Sequence, residues 1–328
     1  MSETTTTARA VTRLVPAVET SDGAGVRLRR SIGKADLDTL DPFLLLDAIG
    51  SEDGADYIAG FPDHPHRGFE TVTYMIEGRM RHRDSTGAEG LLESGSVQWM
   101  TAGRGIVHSE MPEQEDGVLE GFQLWVNLPA EKKMMPPGYQ DIAADRISTA
   151  TFEGGSARVI AGELGGVAGP ANPQIPIRLL DVRLEAGAEW TVSPAAGNDL
   201  FMCVYEGAVD AADEEGSMHT VTAPGVAVFG GQGDVTVTAG ADGIGKKMVA
   251  GFAGGGARVH TCDISEEAIA ACRNDLPDVG YSLCDVADDD AVGRMFEEAA
   301  ENLGGLDVLV NNAGIAGPIA NLEDIEPD

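Results

Sequence analysis

The sequence is poor in lysine, in aromatic residues and in long apolar runs. Lysine occupies only five of its 328 positions, whereas 54 residues are aspartate or glutamate, and the net charge is −32. A surface this acidic repels phosphate backbones, which argues against direct binding of nucleic acid. No apolar run approaches the roughly 18 residues that a membrane span requires, and the first eight residues contain no apolar signal segment. We therefore expect a cytoplasmic protein that binds neither membranes nor nucleic acids.

Cysteine is scarce as well, and the four cysteines form no C-x-x-C pair of the kind that indicates a zinc or redox motif. Cys262, Cys272 and Cys284 adjoin apolar segments, where a buried free thiol is the ordinary interpretation. Acidic residues, in contrast, are spread along the whole chain. This distribution fits two alternatives: an ordinary acidic cytosolic protein, or a member of an acidic proteome adapted to a salt-rich cytoplasm, where dense carboxylates are screened.

Glycine is abundant, with 43 residues placed between short runs of β-branched and aromatic residues. Such runs, separated by turn residues, predict many short strands and hence an all-β barrel or sandwich. They extend from Val26 to Thr238, and residues 129–139 indicate a connection between two domains. After Thr238 strands alternate with helices, which predicts a parallel sheet with crossover helices. Residues 1–22 are polar and threonine-rich, and we expect a frayed terminus there.

Two pairs of metal-ligand residues lie in the first half of the chain, His64 with His66 and His108 with Glu110. Each pair has i, i+2 spacing, and on a strand such side chains point to the same face. Two such strands facing each other across a barrel would bring three imidazoles and one carboxylate to one point. This donor set suits iron, manganese, nickel, copper or zinc about equally, so the spacing leaves the ion open. The pairs could also be coincidental, since six histidines are spread over the chain.

Longer segments surround and follow these pairs: FPDHPHRGFETVTY at 61–74, VQWMTAGRGIVHSEMP at 97–112 and FQLWVNLP at 122–129. They closely resemble the pirin family of the cupin superfamily, over about residues 26 to 243. The resemblance implies a bicupin, with two β-barrels of the double-stranded β-helix type and Fe(II) in the first barrel. Glu70 is expected to support the metal site without binding the ion. The implied metal ligands are His64, His66, His108 and Glu110.

Two functions are attached to pirins, and the sequence leaves both open. Some pirins resemble flavonol (quercetin) 2,3-dioxygenases, in which the metal binds the deprotonated 3-hydroxyl group and the flavonol ring is opened with dioxygen. For this activity, Glu110 is the expected catalytic base. Other pirins act without turnover, as redox-sensitive cofactors of regulatory or metabolic proteins. The expected partner is therefore either a flavonol-like small molecule or another protein.

The chain after residue 238 carries a second set of motifs. A glycine-rich turn follows a strand and opens a helix, and Asp263 follows the next strand, where a carboxylate can accept from a ribose hydroxyl of NAD. Together with Asp285-Val286 and the Asn-Asn-Ala-Gly run at 311–314, these features resemble the short-chain dehydrogenase/reductase family, although Ala239 replaces a usual glycine. The candidate cofactor-binding residues are Gly240, Gly243, Ile244, Gly245, Asp263, Asp285, Val286, Asn311, Ala313 and Gly314.

This second resemblance covers only the N-terminal part of its family. The catalytic serine and the Tyr-x-x-x-Lys motif have no counterpart before Asp328, so we expect an incomplete Rossmann-like half-domain. Dehydrogenase activity is not expected, and NAD binding should be weak or absent. The predicted organisation is a metal-binding cupin at 1–130, an incomplete cupin without ligands at 131–238, and a truncated dinucleotide-binding fragment at 239–328.

The segment at 235–238 fits both families. It cannot be at once a barrel strand and the central strand of a parallel sheet, and we expect the barrel to keep it. The tail would then be a loosely packed half-sheet with an exposed apolar edge and a protease-sensitive stretch at 243–256. A recombined gene, or two genes joined in error at a similar stretch, explains this arrangement better than an evolved bifunctional enzyme.

Overall fold

The computed structural model describes residues 8–114, 117–194, 197–240, 249, 252–305 and 309. Its contacts divide the chain into two compact units, Met1–Gly240 and Ala241–Asp328. The described residues form strands throughout the first unit and both strands and helices in the second, as the change of pattern after Thr238 predicts. Within the described part of the chain, no helix is both long and apolar enough to cross a membrane.

The first barrel is built from two antiparallel sheets, one with the strand order β5-β10-β7-β8 and one with the order β12-β9-β6-β11-β4-β3-β2. Apolar side chains from both sheets form a core between them, among them Leu28, Met75, Met80 and Leu119. Short 3-10 helices occur at Gly54–Asp56 and Ala144–Arg146. Strands β1 to β12 are Ala10–Pro16, Val18–Asp22, Val26–Ile32, Phe43–Ser51, Phe61–His66, Phe69–Glu77, Met80–Asp84, Glu89–Leu92, Val97–Thr101, Ile106–Pro112, Leu119–Asn127 and Gly138–Ile142.

The second barrel contains sheets with the orders β1-β22-β19, β13-β14-β17 and β18-β23-β20-β21, and a small β15-β16 hairpin. Its core is a cluster of valine, alanine and phenylalanine side chains that includes Val209, Val221, Phe229 and Val237. Strands β13 to β23 are Thr149–Phe152, Gly155–Ala161, Glu163–Leu164, Val167–Ala168, Leu179–Leu184, Glu189–Val192, Leu200–Val204, Ala208–Ala212, Met218–Thr222, Gly225–Gly230 and Val235–Ala239.

The expectation of a frayed terminus over residues 1–22 is wrong for its described part. Strand β1 pairs antiparallel with β22, so the start of the chain completes a sheet of the second barrel. Val11 and Val15 are buried there, opposite Phe229 and Val226. The burial of these two valines outweighs the low strand preference of the polar residues around them, which is why composition alone misled the prediction.

The two barrels share an apolar core and a buried polar contact. The core cluster includes Trp99 and Leu124 from the first barrel and Val226 from the second. Beside it, the buried carboxylate of Asp181 accepts hydrogen bonds of 2.6 Å from the hydroxyls of Tyr74 and Tyr205. Since Tyr74 lies on β6 and Asp181 on β17, this contact joins the barrels directly.

Strand β23 belongs to the second barrel, as predicted for residues 235–238. It pairs antiparallel with β18 and with β20, with Trp190 opposite Val237 and Val209 opposite Ala239. The backbone N–H of Gly240 continues this pattern by donating to the carbonyl of Ala208. Buried alternate residues on this strand explain why the barrel retains it.

The second unit follows the predicted α/β order. Strands β24 (His260–Asp263) and β25 (Gly280–Leu283) pair in parallel, each followed by a helix, α1 (Glu266–Asp275) and α2 (Asp289–Leu303). Ser265 caps α1, and Asp288 caps α2. Ile264, Leu283 and Val286 are exposed at the carboxyl ends of the strands. The apolar run LDVLVN at 306–311 predicts a further buried strand, but apart from Leu309 it lies outside the described residues.

Candidate metal centre

The two predicted ligand pairs lie on neighbouring strands of one sheet. Strand β5 carries His64 and His66, β10 carries His108 and Glu110, and His108 is directly opposite His64. The prediction that these strands face each other across the barrel is wrong, because they are paired antiparallel. Directly opposite residues have Cβ atoms only about 4.5–5.5 Å apart, so neighbouring strands bring the imidazoles together as effectively.

Three imidazoles converge on this sheet. One ring nitrogen from each of His64, His66 and His108 lies within 4.8 Å of the other two. The ring centroids of His64 are 4.7 Å from His66 and 4.4 Å from His108, and those of His66 and His108 are 4.8 Å apart. His66 and His108 are buried, whereas His64 is half-buried. Three nitrogen donors in this arrangement could hold a metal ion.

The protonation of these rings suits a metal ligand. Burial, and then the neighbouring imidazoles, lowers the pKa of both His66 and His108 to about 3, so both rings are uncharged at neutral pH. Neutral imidazole is the form that binds metal. In His64, Nδ1 lies 2.8 Å from the carbonyl oxygen of Pro62, to which a ring N–H donates. The free electron pair of that ring is then at Nε2.

Glu110 is buried beside the imidazoles. Its Oε1 accepts a hydrogen bond from the Thr73 hydroxyl at 2.9 Å, and its Oε2 accepts one from the Gln123 amide at 3.0 Å. Oε2 also lies 4.0 Å from His108 Nε2. Because His108 is neutral, this contact is not an ion pair. Both atoms would be close enough to contact one ion.

An unsatisfied atom at this site also fits a bound cation. His108 Nε2 is buried and has no hydrogen-bond partner among the described residues. Buried polar atoms normally find a partner, so each exception needs a physical explanation. A cation held between His108 Nε2 and the Glu110 carboxylate would satisfy both groups, and we conclude that the residues present fit a metal ion.

His82 is a buried histidine at this site that the sequence reasoning missed. It lies on β7 opposite Glu110, and its Nδ1 is 3.3 Å from Nδ1 of His108. A signal was present in the sequence, because His82 alternates with Arg81 and Arg83 and must face inward when the arginines face solvent. Glu70 is also buried, and its carboxylate accepts from the Thr101 hydroxyl and from the backbone N–H of residue 174.

The second barrel has no comparable cluster in the part of the chain that the structure describes. Its one histidine, His219, places Nε2 2.7 Å from the Asp213 carboxylate. This pair lies on a partly exposed hairpin, with β20 and β21 on either side of the turn. His219 therefore has an ordinary structural partner.

The candidate NAD-binding residues lie in different parts of the molecule. Gly240 ends the first unit, whereas Asp263, Asp285 and Val286 lie in the second. The carboxylates of Asp263 and Asp285 accept from backbone N–H groups two residues further on, at 2.8 Å and 3.0 Å. These contacts form turns after β24 and β25. The predicted residues Gly243, Ile244, Gly245, Asn311, Ala313 and Gly314 lie outside the described residues.

Paired β-barrels with a largely buried histidine cluster in one of them define a cupin-type protein with a candidate metal site. A family model described as Pirin matches residues 25–126. A pirin-like protein of Caulobacter vibrioides is 49% identical over 229 residues, which are 69% of this chain and 81% of that protein. The chain belongs to the pirin family.

Other relatives agree with this assignment. Human Pirin is 44% identical over 201 residues, which are 61% of this chain and 67% of that protein. A crystal structure of quercetin 2,3-dioxygenase from Acinetobacter baumannii superposes with a TM-score of 0.64 and 32% identity. The match covers 71% of this chain and 83% of that one. The predicted bicupin fold is thus confirmed.

A second family model, described as short chain dehydrogenase, matches residues 234–327. This match confirms the resemblance predicted for the tail. It begins at the start of β23, a strand that pairs within the second barrel. The dehydrogenase match therefore includes a strand that the structure places in the second barrel.

Proposed function

We propose that the first barrel binds one iron ion and catalyses a flavonol (quercetin) 2,3-dioxygenase-type reaction. The observation that carries this proposal is the convergence of His64, His66 and His108 beside a buried carboxylate. The likeness to a solved quercetin 2,3-dioxygenase supports the reaction class. Iron is chosen among the ions that this donor set suits because the family resemblance implies it.

We assign the ligands as His64, His66, His108 and Glu110. When bound, the ion would supply Lewis acidity and a template for a substrate with adjacent oxygen atoms. His66 and His108 are buried, whereas His64 is half-buried, so the site opens on the His64 side. A planar flavonol would therefore approach past His64, with the reacting oxygens directed inward.

Glu110 is the candidate base for the flavonol 3-hydroxyl. Its two oxygens are held by Thr73 and Gln123, which orients the carboxylate without neutralising it. A base must lie within hydrogen-bond reach of the proton it accepts, and Glu110 is the carboxylate beside the histidine cluster. In this role the Glu110 carboxylate would loosen from the ion and accept the hydroxyl proton as the substrate oxygen takes its place in the site.

The Glu110→Gln variant tests the base. The amide has nearly the same shape and can still accept from the Thr73 hydroxyl, but it cannot take a proton. We expect flavonol turnover to fall by a factor of about 100 or more, the usual scale of general-base catalysis. Metal content is measured alongside, since loss of the ion would also abolish turnover. A variant that keeps its metal and its full turnover would refute the base role.

The metal itself is tested by elemental analysis of the purified protein and of two histidine variants. We expect about one ion per chain in the wild type and in His219→Ala, and strong loss in His64→Ala. A flavonol assay on the iron-loaded wild type then tests the reaction. Stoichiometric metal without flavonol turnover would reject the dioxygenase and favour the alternative of a redox-sensitive protein cofactor. Wild-type protein that binds no transition metal would reject both.

A further inference from the structure

The alternation of residues along β7 directs the side chain of His82 to the buried face. Strand β7 places Met80 and His82 on the buried face, while Arg81 and Arg83 on the other face pair with glutamates. His82 is opposite Glu110 on β10, so its side chain points to the same face of the sheet as those of Glu110 and His108. Its ring centroid is 5.2 Å from that of His108, and both rings are buried.

The contact between these two histidines constrains their hydrogen atoms. Their Nδ1 atoms are 3.3 Å apart, and a hydrogen bond between them requires one N–H and one electron pair. If His82 were the donor, the hydrogen of neutral His108 would have to reside on Nε2. That hydrogen would then occupy the atom directed toward the metal site. A metal ligand at Nε2 is possible only when His108 donates and His82 accepts.

The surroundings of His82 show no other function for its ring. Its Nε2 is buried and has no hydrogen-bond partner among the described residues, and the nearest aromatic neighbour is the Tyr139 ring at 4.6 Å between centroids. A buried donor without a partner costs about 1–3 kcal/mol. An apolar residue of similar size would avoid this cost, so packing does not explain why a histidine stands here.

We propose that His82 is a positioning residue that accepts a hydrogen bond from His108 Nδ1, thereby fixing the tautomer and ring orientation that present His108 Nε2 to the metal. The proposal rests on the metal centre proposed above. Outer partners of metal-bound histidines typically contribute a factor of 10–100 to metal affinity. His82 would contribute in this range although it does not touch the ion.

Three substitutions separate this role from packing. In His82→Asn, the amide oxygen takes the place of Nδ1 and can still accept from His108. In His82→Gln, the amide lies one bond further along, at the place of Nε2, and the acceptor is lost. His82→Leu removes both nitrogens. The matched control is His219→Leu, the same chemical change in the second barrel.

The probe is nickel(II), titrated into metal-free full-length protein in competition with a chromophoric chelator. We expect His82→Asn and His219→Leu to bind within about threefold of wild type. His82→Gln and His82→Leu should bind about 10–100-fold more weakly. The ligand-field spectrum at saturation should be unchanged in His82→Asn and shifted in the other two His82 variants. Chemical unfolding of the metal-free variants checks the fold, and His82→Leu should be at least as stable as the wild type.

Several results would overturn the proposal. Wild-type affinity and spectrum in both His82→Gln and His82→Leu would show that the acceptor at Nδ1 is not needed. Equal losses of nickel(II) affinity in His82→Asn and His82→Gln would show that the ring acts by its shape and not by accepting a hydrogen bond. Wild-type protein that binds no nickel(II) would overturn the metal centre along with this role, which distinguishes that failure from the first two.

Discussion

The two barrels of the first unit share an architecture but differ in what they bury. In the first barrel, buried polar side chains stand among the apolar ones, including His66, His82, Gln98, His108 and Glu110. In the second, over the described residues from 149 to 240, Asp181 is the single buried polar side chain, and it contacts the first barrel. Buried polar groups cost free energy unless they are satisfied. The first barrel therefore contains the buried polar groups, including the histidine cluster, whereas the second is filled by apolar packing.

The two barrels are therefore expected to contribute differently to stability and to metal binding. The second barrel contributes a valine-rich core and no metal donor cluster among its described residues. The first barrel brings three imidazoles together and buries His108 Nε2 without a hydrogen-bond partner among the described residues. Both features cost folding free energy. Substitutions in the second barrel should therefore change stability without changing metal binding, and the metal should stabilise the protein only through the first.

The largest expected effect is a loss of stability when the core of the second barrel is changed. Phe229 is buried on β22, and Phe229→Ala should lower the free energy of unfolding by about 3–5 kcal/mol through lost burial and a cavity. Chemical denaturation measures the loss, and elemental analysis should show unchanged metal content at low temperature. The exposed Leu14 on the neighbouring strand provides the control, since Leu14→Ala should cost less than about 1 kcal/mol. Metal loss in folded Phe229→Ala would contradict the separation of the barrels.

The next effect concerns the contact between the barrels. Asp181→Ala removes the acceptor of two tyrosine hydroxyls, and hydrogen bonds to a charged group are worth about 1.5–3 kcal/mol each. We expect the free energy of unfolding to fall by about 3 kcal/mol, as measured by urea denaturation. Asp181→Asn keeps one acceptor oxygen and should lose about half as much. Equal stability of Asp181→Ala and the wild type would show that the apolar core alone joins the barrels.

A somewhat smaller effect is the stabilisation by metal. Nickel(II) at one hundred times its dissociation constant should raise the free energy of unfolding of the wild type by about 2.7 kcal/mol, because it binds the folded state. The gain should disappear in His108→Ala and persist in His219→Ala, which keeps the donor cluster intact. Measurement is by denaturation with and without the ion. An equal gain in His108→Ala would place the bound ion outside the first barrel.

The smallest expected effect is a difference in thiol reactivity. Burial raises the pKa of Cys203 on β19 to about 12, and only the thiolate reacts with iodoacetamide. The folded protein at pH 8 should therefore be alkylated at Cys203 at least about tenfold more slowly than the urea-unfolded chain, and the rate should rise with pH. Mass spectrometry of the Cys203 peptide measures both rates. Equal rates would mean that this part of the second barrel opens readily to solvent.

The local sequence pattern was sufficient to predict many of the strands of this protein and its candidate ligand pairs. Strand-forming runs separated by turn residues predicted short strands between Val26 and Thr238, and the structure contains such strands there. The alternation of strands and helices predicted after Thr238 is also present, with Ser265 as the N-cap of α1. The pairs His64/His66 and His108/Glu110 were found because i, i+2 spacing on a strand needs no knowledge of the rest of the fold.

Other features depend on which strands become neighbours. Strand β1 pairs with β22, more than two hundred positions further along the chain, and no local signal in a polar terminus indicates such a partner. The placement of β5 beside β10, and not across from it, is likewise a matter of sheet order.

The sequence by itself therefore determined the fold classes, the resemblance of the tail to a second family, and the two i, i+2 pairs that contain the histidines of the cluster. Only the tertiary structure showed that the ring of His82 contacts the ring of His108, whereas Glu70 has a hydrogen bond with Thr101. The physical reason is that ligand spacing is a property of one strand, which a short segment encodes. The partners that orient a ligand come from other strands, and only pairing and register bring them within hydrogen-bond distance.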